Sequence, residues 1–166
     1  MFTPIDLAQW PRGQMFYYFS HMAPTGYSLT VSLDVTALHR TVKERGVKFF
    51  PAYVWLVTKN LNRQVEFRCA VQDGQLGYFD TLTPLYAAMH PVSCLPRVAF
   101  RHFAVHSYEN KPYYFPSVEA GKFEERDGRL IMPLSLTCHH ATTDGWHVSR
   151  FLEDLQREMD HFDQYL

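Results

Sequence analysis

Leu130-Ile131-Met132-Pro133-Leu134-Ser135-Leu136-Thr137-Cys138-His139-His140, followed at once by Ala141-Thr142-Thr143-Asp144-Gly145, decides the fold of this 166-residue chain. The first eleven residues alternate as a strand does. Leu130, Met132, Leu134, Leu136, Cys138 and His140 share one side, which the pattern predicts to be buried, and Ser135, Thr137 and His139 share the other. Beyond the turn, His147 to Phe162 places Val148, Phe151, Leu152, Leu155 and Met159 at the spacing of one helix face. A long apolar strand therefore runs through a polar turn into an amphipathic helix, with His140 at the end of the apolar row.

Three readings of that turn stand side by side. An imidazole at the end of a buried row, titrating near neutrality, can act as a general base toward a hydroxyl. Alternatively, His139, His140, Asp144 and His147 could bind a metal. Adjacent strand residues point to opposite faces, however, and no Cys-x-x-Cys or His-Glu-x-x-His spacing supports a metal site. In the third reading, His140 is a hydrogen-bonded core histidine and Asp144 simply caps the following helix.

Outward from this stretch, the N-terminal segment from Trp10 to His21 reads as irregular, and Tyr27 to Val35 alternates as a strand. Thr36 to Arg45 reads as a helix stopped by Gly46. A second helix beginning near Pro51 carries Val54, Val57 and Leu61. Strands are predicted at Arg68 to Val71 and Gln75 to Phe79, joined by an Asp73-Gly74 turn, then at Leu82 to His90 and at Val92 to Val105. An Asp127-Gly128 turn joins Val118 to Glu124 with the long strand. Strands outnumber helices, so the expected class is α+β: one domain over residues 1–166, with a mostly antiparallel or mixed sheet covered by helices.

The charge balance is near neutral, with 16 Lys and Arg against 17 Asp and Glu, and it offers no basic stripe for nucleic acid. No run of eighteen apolar residues is present, and the start lacks a basic-then-apolar leader, which predicts a cytoplasmic protein without membrane association. Cys69, Cys94 and Cys138 are scattered in apolar runs and read as reduced core thiols.

The pattern His139-His140-Ala141-x-x-Asp144-Gly145-x-His147-Val148, with the helix that follows, resembles the C-terminal signature of the chloramphenicol acetyltransferases. That family lies within the wider superfamily of CoA-dependent acyltransferases. Further stretches are similar to the family in the same order: Trp10-Pro11-Arg12, Gly26 to Thr30, Lys48 to Ala52, Val92-Ser93-Cys94-Leu95-Pro96, Gly121-Lys122-Phe123 and Leu130 to Leu134. The resemblance implies a two-layer α+β fold and acetyl transfer from acetyl-CoA to a hydroxyl of a small molecule, chloramphenicol being the family's default acceptor. It further implies a homotrimer with each site between subunits, and no metal.

Residue by residue, the resemblance makes His140 the general base and Ser93 the donor to the tetrahedral oxyanion. It makes Asp144 and Arg12 an ion pair that keeps the histidine turn in shape. Tyr18, Phe19, Tyr27, Leu29, Phe103 and Val105 are candidates for the acceptor pocket, and Lys122 and Phe123 for contacts to the coenzyme. Read without the resemblance, Ser93 is a strand-edge serine, Arg12 a charge beside Trp10, and the pocket candidates ordinary core. Cys94 falls on the face opposite Ser93 and reads as core.

The chain departs from the family in length. About fifty residues, holding part of the pocket wall, are missing between His90 and Val92, where Pro91 alone intervenes. Pro96-Arg97 replaces the family's Pro-Trp, and Glu119 stands where a small hydroxyl residue is common. A site stripped of walls admits water and positions its acceptor poorly. The alternative function is thus a shortened, catalytically weak relative that binds a ligand or a protein.

Overall fold

Met132, Leu134, Leu136 and Cys138 are all buried, and the strand they belong to is the middle of the larger of two sheets. A computed structural model describes residues 1–84, 91–105 and 113–166. In chain order the elements are β1 (Phe2–Pro4), α1 (Gly13–Tyr17) continuing into a π turn at Tyr18–Met22, β2 (Gly26–Asp34), α2 (Thr36–Glu44) and α3 (Phe49–Leu61). A 3-10 turn at Val65–Arg68 leads into β3 (Cys69–Gln72) and β4 (Gln75–Phe79), and β5 (Val92–Leu95), β6 (Ser117–Gly121), β7 (Glu124–Arg126), β8 (Arg129–His139) and α4 (Gly145–Asp160) follow.

The larger sheet has the order β2-β8-β6-β5, with β7 also paired to β8. Its pairings are antiparallel except β5 with β6, which makes it mixed. β2 runs along nearly all of β8, pairing Tyr27 with Cys138, Leu29 with Leu136, Val31 with Leu134 and Leu33 with Met132. Paired residues share a face, so one side of the sheet is apolar and meets the helices. Leu38 and Val42 of α2, Leu56, Val57 and Leu61 of α3, and Val148, Phe151, Leu155 and Met159 of α4 bury themselves in the same cluster. Each such side chain contributes up to about 1.5–3 kcal/mol on full burial.

The smaller sheet, β1-β4-β3, belongs to a second cluster in which Phe16, Cys69, Leu76, Tyr114 and Ala141 are buried. Because Phe16 lies in α1 and Ala141 in the histidine turn, this cluster fixes the N-terminal helical segment against that turn. Both Asp-Gly hairpins form as expected. Asp73 and Gly74 have φ of 51° and 80°, and Asp127 and Gly128 have 52° and 74°, the positive values a two-residue turn between twisted strands requires. Among the described residues no helix is long and apolar enough to cross a membrane.

Several expectations need correction. Trp10 to His21 is not irregular: α1 and the π turn occupy residues 13–22. α3 starts at Phe49, which places Pro51 in its first turn, where a missing N–H costs no helical hydrogen bond. Its buried face is set by Tyr53, Leu56, Val57, Asn60 and Leu61, with Val54 only partly buried. α4 begins at Gly145, two residues early, because Asp144 is its cap.

The strand expected over Val92 to Val105 ends at Leu95, since Pro96 has no N–H to give to a ladder. The strand expected at Leu82 to His90 is not formed over 82–84, and 85–90 lie outside the described residues. Val118 to Glu124 is broken at Lys122 and Phe123. Ala120 pairs with Leu134 but Glu124 pairs with Ile131, so one extra residue is accommodated there as a bulge.

Candidate active site

β8 ends at His139, and His140 adds one more rung by donating its backbone N–H to the Thr25 carbonyl at 2.8 Å. The His140 ring lies flat on Phe19, with centroids 4.2 Å apart and planes 12° apart, and meets the edge of Tyr27 at 5.3 Å. Its Nδ1 is 2.9 Å from the Thr143 carbonyl oxygen. A carbonyl can only accept, so Nδ1 carries the proton, and in the neutral ring Nε2 is left with its lone pair free. A cleft of about 390 Å³ is lined by His140 with Tyr27, Leu29, Gly145, Val148, Ser149 and Leu152. This arrangement has the elements a general base needs: a fixed ring, a defined tautomer and an open approach.

His139 plays a different part. Its Nδ1 accepts from the Ala141 N–H at 3.2 Å, and its carbonyl accepts from the Thr142 and Thr143 N–H groups at 3.3 and 3.2 Å. Burial, together with the neighbouring His140, pushes its pKa down, so it stays neutral and shapes the turn. The Thr143 hydroxyl donates to the same carbonyl and accepts from the Tyr27 hydroxyl, each at 3.1 Å. Burial and the nearby Cys138 and Asp144 raise the Tyr27 phenol well above its usual range, so it remains a donor. Among the described residues no group of three or more His, Cys, Asp and Glu side chains is placed to hold a metal ion.

Asp144 serves as helix cap and as brace with the same carboxylate. Its Oδ1 accepts from the Trp146 N–H at 3.0 Å, capping α4, and faces His147 Nδ1 at 2.8 Å. Its other oxygen pairs with Arg12 Nη1, while Arg12 Nη2 donates to the His140 carbonyl at 3.2 Å. Burial works to raise the Asp144 pKa, but His147 and Arg12 outweigh it and hold the carboxyl at about 2. On the far side of His147, Nε2 stands 3.7 Å from Glu66 Oε1, an ion-pair distance. The sequence singled out Arg12 and Asp144 but assigned neither His147 nor Glu66 to this network. His147 was discoverable, because a polar residue three after a helix cap is the capping-box spacing. Glu66, nearly eighty residues away in the chain, gives no such signal.

The remaining candidates divide into groups. Phe19, Tyr27 and Leu29 gather at His140, and Tyr18 joins them through an edge contact to Phe19 at 5.0 Å while remaining exposed. Ser93 does not. It is exposed, and its row across the sheet runs Ser93, Glu119, Ser135, Thr30, on the face opposite the helices. Ser135 lies five residues before His140, ~17 Å along β8 at the rise of a strand. Phe103 is on that opposite face too, its carbonyl accepting from the Ser135 hydroxyl, and Val105 is exposed beyond it.

Lys122 is exposed in the bulge, and Phe123 packs against His39 and Phe49 at 5.3 and 5.7 Å. Both sit beside the far end of β8, roughly 25 Å from His140 at the same rise. Glu119 is 3% exposed; the Ser117 hydroxyl donates to its Oε1, and its Oε2 has no partner among the described residues. Burial raises its pKa against the opposing effect of Ser117. A single chain therefore separates the two candidates, with His140 at one end of the helix side of the sheet and the serine row on the other side.

Comparison with known proteins accounts for the fold. A family model described as chloramphenicol acetyltransferase matches residues 1–91 and 86–156. A chloramphenicol acetyltransferase of Clostridium perfringens is 27% identical over 214 aligned positions, which span 99% of this chain and 98% of that protein. Those 214 positions exceed the chain's 166 residues by 48, and the two matched stretches overlap over residues 86–91, which end at Pro91. Among solved structures, a chloramphenicol acetyltransferase superposes with a TM-score of 0.87 at 25% identity, spanning 96% of this chain and 98% of its own. A dihydrolipoamide acetyltransferase of Azotobacter vinelandii shares the fold, with a TM-score of 0.61 at 18% identity over 90% of this chain and 87% of its own. This chain, shortened by one internal segment, belongs to the chloramphenicol acetyltransferase family of acyltransferases.

Proposed function

We propose that the protein moves an acetyl group from acetyl-CoA to a hydroxyl of a small-molecule acceptor, with chloramphenicol the first acceptor to test. His140 Nε2 takes the hydroxyl proton as the oxygen attacks the thioester carbonyl carbon. The carbonyl oxygen becomes an oxyanion, the Ser93 hydroxyl donates to it, and collapse breaks the carbon–sulfur bond. The His140 imidazolium then returns its proton to the leaving thiolate, so the products are the acetyl ester and free CoA. No covalent enzyme intermediate and no metal enters these steps.

The observation that carries this reading is the contact of His140 Nδ1 with the Thr143 carbonyl, which leaves Nε2 as the base. Because Ser93 lies on the other face of the sheet, the complete site in this reading forms between copies of the chain in a homotrimer of single-domain subunits in the cytoplasm. The Ser93 hydroxyl of one copy faces the His140 of the next. Lys122 and Phe123 contact the coenzyme in this arrangement, and Phe103 and Val105 face the acceptor from the same side as Ser93.

The test is release of free thiol from acetyl-CoA. Acceptor-dependent release that falls by at least about a hundredfold in His140→Ala supports the base. Absence of release over a panel of hydroxylated acceptors overturns the proposal. The missing segment favours one competing reading, a weak relative that binds the coenzyme or a partner without turnover. Coenzyme affinity without thiol release would identify it.

A further inference from the structure

We infer that His147 is a positioning residue: a buried imidazolium strung between Asp144 and Glu66, whose charge holds the turn carrying His140 and sets an alkaline limit on acetyl transfer. The inference rests on His140 acting as the base.

The geometry asks for a proton on both ring nitrogens. His147 is 7% exposed, in the first turn of α4. Its Nδ1 is 2.8 Å from Asp144 Oδ1 and 3.3 Å from the Asp144 backbone nitrogen. One nitrogen cannot donate to the first and accept from the second. The shorter contact is to a carboxylate, which only accepts, so Nδ1 carries hydrogen. Nε2 then faces Glu66 at 3.7 Å, and a bare lone pair directed at a half-buried carboxylate would be unfavourable.

Charges around the ring agree with this. Burial opposes the imidazolium, but Glu66 and Asp144 outweigh it and raise the His147 pKa. Glu66 is lowered in turn, burial being outweighed by His147 and by Arg12. Arg12 occupies the other oxygen of Asp144. Cys69, behind Glu66, is pushed up to about 12 by burial and stays neutral through the working range. The Gln64 amide donates to the His147 carbonyl at 3.0 Å, anchoring its backbone.

The imidazolium thus continues a chain that runs from Glu66 through His147, Asp144 and Arg12 to the carbonyl of His140. Loss of its proton leaves Glu66 facing a lone pair and weakens the hold on Asp144 from the helix side. A histidine whose pKa is raised keeps its charge to higher pH than an ordinary imidazole and loses it as pH rises further, so the effect falls on the alkaline limb. The base itself makes the opposite demand, because His140 must be deprotonated to act.

The experiment follows kcat from about pH 6 to about pH 10 in the full-length protein with acetyl-CoA and chloramphenicol, beside NMR titration of labelled histidines. Expected is an alkaline fall in kcat with little change in KM, centred where the His147 ring titrates. In His147→Asn, which keeps a short donor but no charge, kcat at neutral pH is about tenfold lower and that fall is absent. Glu66→Gln, which leaves Asp144 in place, moves the midpoint to lower pH and serves if the Asn variant does not fold. An alkaline fall unchanged in both variants, or a His147 ring that titrates below the ordinary histidine range, overturns the inference. Failure of the base reading looks different: a wild type without thiol release whose His147 still titrates high removes the positioning role and leaves the ion chain as a structural brace.

Discussion

Arg12 binds Asp144 through one terminal nitrogen and the His140 carbonyl oxygen through the other, so a single guanidinium spans the turn from its histidine to its aspartate. The arginine comes from the segment just before α1, and α1 is packed by Phe16 against Tyr114 at a centroid distance of 5.4 Å. The N-terminal segment and the histidine turn, more than a hundred residues apart in sequence, are therefore one unit. Only a forked donor can make both contacts from this position, which distinguishes arginine from lysine.

Arg12→Ala should destabilise the protein by about 1–3 kcal/mol, the cost of leaving a charged acceptor without its donor. Arg12→Lys should restore most of that stability by keeping the charge, yet leave kcat well below wild type because the His140 carbonyl loses its donor. Chemical denaturation and steady-state kinetics on the same preparations make the comparison. A lysine variant equal to wild type in both measurements would show that the fork is dispensable.

The acid side of the stability profile reports on Asp144. Its carboxyl is held at about 2, below the ordinary 3.8, because His147 and Arg12 outweigh its burial. A lowered carboxylate pKa contributes stability that is fully present above the ordinary value and disappears as pH falls through the folded one. Below the titration of His147, the stability gap between wild type and Asp144→Asn should then be constant down to about pH 5 and close progressively toward pH 2. Urea midpoints measured across that range check it, and a gap independent of pH would mean that the carboxylate acts only as a neutral cap.

Much of this arrangement could be read from the chain. The alternation from Leu130 to Cys138, the apolar period of α4 and the two Asp-Gly turns each specify local structure strongly, and all three appear in the fold. The helical character of residues 13–22 could not be read, because Phe16, Tyr17, Tyr18 and Phe19 are consecutive aromatics without a helical period, and their packing decides the outcome. Of the candidate site, the His140 turn and the Arg12–Asp144 pair that braces it were legible through motif and family. The separation of Ser93 from His140 depends on strand order and register. Those are set by pairings between segments distant in the sequence, such as Val92 with Val118.

Glu119 combines deep burial with an oxygen that has no hydrogen-bond partner among the described residues. Burial raises its pKa, so the fold favours the neutral acid over the carboxylate. A carboxyl whose folded pKa lies above its unfolded one supports the fold below the unfolded value and works against it as pH rises through the folded one. Glu119→Gln keeps the shape and removes the ionisation. It should raise stability by about 1–3 kcal/mol at neutral or alkaline pH, with the gain shrinking under acid conditions. Thermal unfolding at acid and alkaline pH decides the matter, and a variant less stable than wild type at alkaline pH would imply that the carboxylate has a partner.

The two faces of the larger sheet make the sharpest prediction about assembly. Ser93 lies in the row with Glu119 and Ser135, and His140 ends the row opposite, so no single chain brings the two together. If sites form between copies, a chain with Ser93→Ala still supplies an intact His140, and one with His140→Ala still supplies an intact Ser93. Each variant alone should be strongly impaired, Ser93→Ala by about a hundredfold or more through loss of the oxyanion donor, and His140→Ala by at least as much. Coexpressed in equal amounts and assembled at random, they should place both intact residues in about a quarter of the sites. Thiol release from purified mixed oligomers would then approach about a quarter of the wild-type rate, far above either parent. Sites built within one chain would give no recovery, because every chain in the mixture lacks one of the two residues.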